Sequence, residues 1–95
     1  CNCSVCRRYG SVHAYFHPNS VKVIVEPSNL QEYSWRDKGL VFIRCKNCGC
    51  YSHWKSLDPN HTDRMGVNAR LFTNLDIDKI PTRRFDGAET WKFLD

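Results

Sequence analysis

The chain has 95 residues, 41% hydrophobic and 25% charged, a balance that fits one small globular domain and excludes a disordered chain. No apolar run approaches the roughly 18 residues of a membrane-spanning helix, and no secretory h-region is present, so a cytoplasmic chain with no membrane partner is expected. The net charge of +4 is scattered from Arg7 to Lys92, with adjacent basic pairs at Arg7-Arg8 and Arg83-Arg84; this dispersal argues for a solvated surface and against a nucleic-acid partner.

Cys1-Asn-Cys3-Ser-Val-Cys6 opens the chain as a metal-knuckle pattern, since thiolates one or two residues apart can grip one ion from a tight turn. Ser11 to Phe16 is rich in β-branched and aromatic residues and predicts a strand ending at His17-Pro18. Val21-Lys-Val-Ile-Val25 alternates cleanly and predicts a second strand, stopped by Pro27. Leu30 to Arg36, with Tyr33 and Trp35 two apart, predicts a third, and Asp37-Lys38-Gly39 a turn. Leu40-Val-Phe-Ile-Arg44 then runs into Cys45-Lys-Asn-Cys48, a strand feeding a second knuckle, with Gly49 placed where positive φ is needed. Tyr51 to Lys55 is the expected return strand.

Asp58-Pro59-Asn60 breaks the pattern, and Val67 to Phe72 alternates again as a strand. On that strand Asn68 and Arg70 share one face and could look into one cavity. Thr73-Asn-Leu-Asp76 resembles a helix N-terminus, cut short by Ile80-Pro81. Arg83-Arg-Phe85 is a final short strand before Asp86-Gly87. The fold class is mainly β and antiparallel, with at most one short helix, in a single domain over residues 1–95.

Six cysteines allow 15 disulfide pairings. Their clustering at 1, 3, 6 and 45, 48, 50 favours metal ligation in a reducing compartment, because neighbours one residue apart rarely meet disulfide geometry. A structural ion would also staple a domain of this size, which buries roughly two-thirds of its unfolded surface. Cys50, two residues past Cys48, reads as a spare thiol or a buried small hydrophobe, with the second favoured. His13, His17, His53 and His61 read as structural, and Trp54 and Trp91 as core or pocket wall.

Together, Cys1-x-Cys3-x-x-Cys6-Arg-Arg-Tyr-Gly10, the strand into Cys45-x-x-Cys48-Gly49, Arg64-Met-Gly-Val-Asn-Ala-Arg-Leu71 and Phe85-Asp86-Gly87 resemble the glutathione-dependent formaldehyde-activating enzyme and centromere protein V family. The resemblance covers essentially all 95 residues. It implies a β-tent-like antiparallel fold with two Zn2+ sites. One is structural, a Cys-x-Cys near the N-terminus joined by a later Cys-x-x-Cys, whose second half Cys45 and Cys48 match. The other is a three-cysteine site, matched by Cys1, Cys3 and Cys6. The chain departs from the pattern in lacking the upstream Cys-x-Cys, so the expectation is an N-terminally truncated member without the family's first strand. Metal-free Cys45 and Cys48, or one ion shared by both clusters, are the alternatives.

The implied chemistry is that of a carbon–sulfur lyase acting on a glutathione–aldehyde adduct of the S-hydroxymethyl type, with a small thiol such as glutathione as partner. A zinc held by three thiolates keeps an open position for it. Arg7 and Arg8 could pair with substrate carboxylates, and Tyr9, Asn68 and Arg70 complete the candidate substrate-binding set; no residue stands out as a general base. The competing readings are a non-catalytic zinc ribbon that binds protein or nucleic acid, and a thiol or metal sensor.

Overall fold

The computed structural model describes residues 1–34 and 39–95. The chain divides into two compact units, His13–Asn68 and a second formed by Cys1–Val12 with Ala69–Asp95.

The first unit is a five-stranded antiparallel sheet of β1 (His13–Phe16), β2 (Leu30–Ser34), β3 (Leu40–Cys45), β4 (Tyr51–Ser56) and β5 (Met65–Asn68), in the order β1-β5-β4-β3-β2. Leu40–Cys45 is the most apolar run of the chain and takes an inner position, where both faces can be covered. Val41 and Ile43 are buried on one face and Phe42 on the other. A bulge between β3 and β4 pairs Ile43 with His53 but Arg44 with Tyr51, leaving Ser52 as the extra residue. Ser52 Oγ donates to the Ile43 carbonyl at 3.1 Å, which satisfies a group at the break in the ladder. The bulge also turns Tyr51 onto the face of Phe42, 5.8 Å between ring centroids.

Across this face the register sets Tyr33 opposite Phe42, Phe42 opposite Trp54, Trp54 opposite Gly66 and Gly66 opposite Tyr15. Gly66 has no side chain, so the Trp54 indole lies across β5 and meets the Tyr15 ring edge-on at 6.2 Å. Arg64 sits over the outer side of Tyr15, 4.9 Å from its centroid.

All four histidines have structural partners, as expected. His13 Nε2 and the Tyr51 hydroxyl lie 2.9 Å apart, and His53 Nδ1 is 2.7 Å from Ser52 Oγ. His17 Nδ1 accepts from Asn19 N–H at 3.1 Å, and His61 pairs with Asp58 at 2.9 Å. Burial holds His13 at about 4, well below the usual imidazole value, and pushes His53 down as well. Between pH 6.5 and 4 the folded chain therefore binds fewer protons at His13 than the unfolded chain. Stability is full above pH 6.5 and falls as the pH drops toward 4, by on the order of 2–3 kcal/mol from this group. Thermal unfolding across that range should show the decline, and His13→Gln should flatten it; an equally steep decline in the variant would assign the effect elsewhere.

Four expected elements differ. The 21–25 segment alternates but is not a strand. It lies between two 3-10 turns, Pro18–Ser20 and Pro27–Asn29, and Ile24 is 84% exposed. Alternation makes a strand where a ladder partner and a face to bury exist, and this segment has neither. The strand expected over 67–72 begins two residues earlier, at Met65, and gives way after Asn68 to a 3-10 turn over Ala69–Leu71. The helix expected after Thr73 is a 3-10 turn, Ile77–Lys79, capped by Asp76 accepting from Asp78 N–H at 3.1 Å. The last strand is displaced to β6 (Phe85–Asp86), which pairs with β7 (Lys92–Phe93) in a small hairpin. Trp35, Arg36, Asp37 and Lys38 lie outside the described residues. No helix among the described residues is long and apolar enough to cross a membrane.

The second unit holds the α-helix, α1 (Ser4–Tyr9), together with the β6–β7 hairpin. The helix falls inside the first cysteine motif rather than after Thr73. Gly10 terminates it in the left-handed conformation, φ 65°, donating to the Cys6 carbonyl at 2.9 Å. Arg7 and Arg8 in its last turn face the negative end of the helix dipole. Glycine after a pair of arginines is a stop signal that the sequence carried.

Candidate metal centre

Cys3 is the N-cap of α1, and its Sγ accepts from Cys6 N–H at 3.4 Å. Residues three apart at a helix start project to the same side, so this cap brings the Cys3 and Cys6 thiols together. Cys1 reaches the same point from the extended segment before the helix. The three Sγ atoms all lie within 4.8 Å of one another, with Cys6 buried, Cys3 half-buried and Cys1 exposed. Ligands at the usual zinc–sulfur length of about 2.3 Å stand roughly 3.8 Å apart around a tetrahedral ion, so a small closure fits the set to a metal. Among the described residues this is the one group of three or more such side chains.

Burial pushes the Cys6 thiol up to about 12, the adjacent Cys3 adds to the effect, and Ser11 opposes it. A thiol in such surroundings becomes a thiolate when a cation neutralises it. A cluster of this kind could hold a metal ion.

The segment carrying Cys1 and Cys3 is clamped by the far end of the chain. Asn2 N–H donates to the Phe85 carbonyl at 3.1 Å, and Asn2 Nδ2 donates to Asp86 Oδ1 at 3.0 Å. Ala88 N–H returns a bond to Asn2 Oδ1 at 3.0 Å. The Asp86 carboxylate also accepts from Thr90 Oγ1 at 2.7 Å, Thr90 N–H at 3.1 Å and Glu89 N–H at 3.3 Å. These bonds, led by the Thr90 hydroxyl and Asn2, hold it at about 2. Gly87 stands against the thiols: a Cβ there would lie 2.5 Å from Cys1 Sγ and 3.4 Å from Cys3 Cβ. The Phe85-Asp86-Gly87 motif was visible in the sequence, but its partner Asn2 was not, since no local pattern links residues 84 positions apart.

Asp86→Ala leaves the Asn2 amide without this acceptor and loosens the loop that carries two of the three thiols. A loss of about 10–100-fold in metal affinity is expected, the usual cost of removing a supporting partner, measurable by competition with a chromogenic chelator. Unchanged affinity would show that the clamp does not position the ligands.

The other expected site residues are distributed as follows. Arg7, Arg8 and Tyr9 lie on α1, with both arginines exposed and Arg8 donating to the Ser4 carbonyl at 2.9 Å. Arg70 Nε donates to the Gly10 carbonyl, at the end of the same helix. Asn68 does not share a strand face with Arg70. It closes β5 in the sheet unit, buried, and donates to the Tyr51 carbonyl at 3.0 Å.

Cys45 and Cys48 form a knuckle at the end of β3. Cys48 N–H points at Cys45 Sγ at 3.5 Å, Gly49 N–H donates to the Cys45 carbonyl at 2.8 Å, and Gly49 has the anticipated positive φ of 79°. Cys45 N–H donates to the Cys50 carbonyl at 2.8 Å. Cys50 is exposed, contrary to the buried small hydrophobe expected; it follows Gly49 in the turn out of the knuckle, before β4 begins at Tyr51. Trp54 is half-buried in the sheet, whereas Trp91 is 69% exposed beside the cysteine cluster's unit-mate Phe85.

No protein-family model matches the chain, and no curated protein matches it. It is similar to a crystal structure of a Rhodobacter sphaeroides protein from a structural-genomics programme. The two are 26% identical, with a TM-score of 0.70 over 82% of this chain and 70% of that one.

Proposed function

We propose that the chain binds one zinc ion through Cys1, Cys3 and Cys6 and acts as a carbon–sulfur lyase on a glutathione–aldehyde adduct of the S-hydroxymethyl type or a related thiol conjugate. The observation that carries this reading is the convergence of three thiols within 4.8 Å of one another. A purely structural clamp draws two ligands from each knuckle, whereas three leave one position for a substrate. When bound, the ion would supply a Lewis-acidic position for a thiol sulfur or an aldehyde oxygen.

The chain's own residues would do the rest. Cys6 anchors the centre from the buried side, and Cys1 leaves it open toward solvent. Asn2 and Asp86 keep the Cys1–Cys3 segment in place. Arg7 and Arg8, exposed on the helix that bears Cys6, would pair with the carboxylates of a glutathione-like thiol. In the cleavage direction the carbon–sulfur bond breaks, sulfur keeps the electron pair, and the hydroxyl proton leaves as the carbonyl forms.

The test is glutathione binding, with formaldehyde release from the S-hydroxymethyl adduct, measured on zinc-loaded protein and again after chelation. Binding and release that both depend on zinc are expected. Binding unaffected by the chelator would remove the metal from the reading, and absence of thiol binding would leave the centre structural.

A further inference from the structure

Trp91 combines three unusual properties. It is the one non-glycine residue with positive φ among the described residues, at 60°. It is also a large aromatic left 69% exposed. Finally, it shares the neighbourhood of Gly87 with the cysteine cluster: the point where a Gly87 Cβ would sit is 2.5 Å from Cys1 Sγ and 3.6 Å from Trp91 Cζ3. The thiol and the indole thus both stand close to Gly87, whose missing side chain lets the thiol approach.

The left-handed backbone at a bulky residue costs on the order of 1–3 kcal/mol and persists when its surroundings enforce it. Here they do. Trp91 N–H donates to the Asp86 carbonyl at 2.7 Å, and the indole meets the Phe85 ring edge-on at 5.2 Å. The same Asp86 whose carboxylate holds Asn2 through its side chain therefore holds Trp91 through its main chain. Hydrophobic burial does not account for the placement, since most of the ring stays in water. Strained backbone conformations cluster at active sites and ligand clamps, and aromatic side chains commonly line ligand pockets.

We propose that the Trp91 indole is the side wall of the thiol-binding position at the Cys1–Cys3–Cys6 centre and selects peptide-bearing thiols such as glutathione over small thiols. This rests on the lyase reading above, in that it takes the substrate sulfur to approach the cysteine cluster. A thiol seated there would carry its first peptide planes past the indole, and a flat amide stacked on a flat ring gains dispersion contact that 2-mercaptoethanol cannot make.

Affinities of zinc-loaded protein for glutathione and for 2-mercaptoethanol, determined by calorimetry, test the assignment. Trp91→Gly is the variant of choice, because glycine keeps the left-handed backbone without strain; Trp91→Tyr restores a ring. The parent should prefer glutathione. Trp91→Gly should lose roughly 5–10-fold in glutathione affinity with little change for 2-mercaptoethanol, and Trp91→Tyr should recover most of it. Quenching of tryptophan fluorescence by glutathione should be smaller in Trp91→Tyr than in the parent, which gives a second readout if the glycine variant folds poorly. An unchanged preference, or equal quenching in parent and Trp91→Tyr, overturns the role of Trp91 and leaves the lyase reading standing. A parent that binds neither thiol sinks both.

Discussion

Cys3→Ser is expected to lower metal affinity at the N-terminal centre by more than about 100-fold while leaving the fold nearly unchanged. Cys3 does two jobs, offering a thiol to the cluster and capping α1 through Cys6 N–H. Serine is a poor zinc ligand but among the preferred N-cap residues. The substitution therefore separates the two roles: ligation fails and the cap survives. Native mass spectrometry under reducing conditions reads occupancy, and thermal unfolding of chelated protein reads the fold. Chelated parent and chelated Cys3→Ser should melt within a few degrees of each other. A variant that still holds an ion at this centre with parental affinity would exclude Cys3 as a ligand. Cys45→Ser is the control, because its knuckle belongs to the sheet unit and loss there should leave the N-terminal centre loaded.

Gly66→Ala should be the most damaging single methyl in the sheet, costing about 2–3 kcal/mol. The added Cβ would come within 2.7 Å of Trp54 Cε2 and 2.8 Å of Trp54 Cδ1. The backbone itself tolerates alanine there, since Gly66 is not in the left-handed region. The cost is therefore displacement of an indole that lies between its Phe42 neighbour on β3 and the Tyr15 ring on β1. A fall of about 10–20 °C in melting temperature is expected for a chain of this size. Trp54→Leu should remove much of the penalty in the double variant, because the smaller side chain yields the space. Equal melting temperatures for parent and Gly66→Ala would mean the indole can leave its place freely.

These two expectations also separate what could be read locally from what could not. The β3–knuckle–β4 hairpin was legible because its signals are contiguous: an apolar run, a Cys-x-x-Cys turn, and a glycine that needs positive φ. The cysteine cluster was legible for the same reason, as spacing along six residues constrains where three thiols can point. Helix α1 is marked in the sequence only at its end, by Gly10 and two arginines, while the close cysteine spacing at its start suits a tight turn equally well. Segment 21–25 alternates as a half-buried strand would, and nothing within five residues tells whether a neighbour will pair with it.

Residue types and their spacing were enough to establish the antiparallel β class and the cysteine cluster at Cys1, Cys3 and Cys6, since each follows from chemistry within a turn or a strand. Folding settled the matters that depend on distant partners. It placed Asp86 on Asn2, Trp54 over Gly66, Trp91 beside Cys1, and Cys50 in solvent. Those pairings arise from loop closure and register, which act through space, and a linear pattern of residues carries no record of which distant positions will meet.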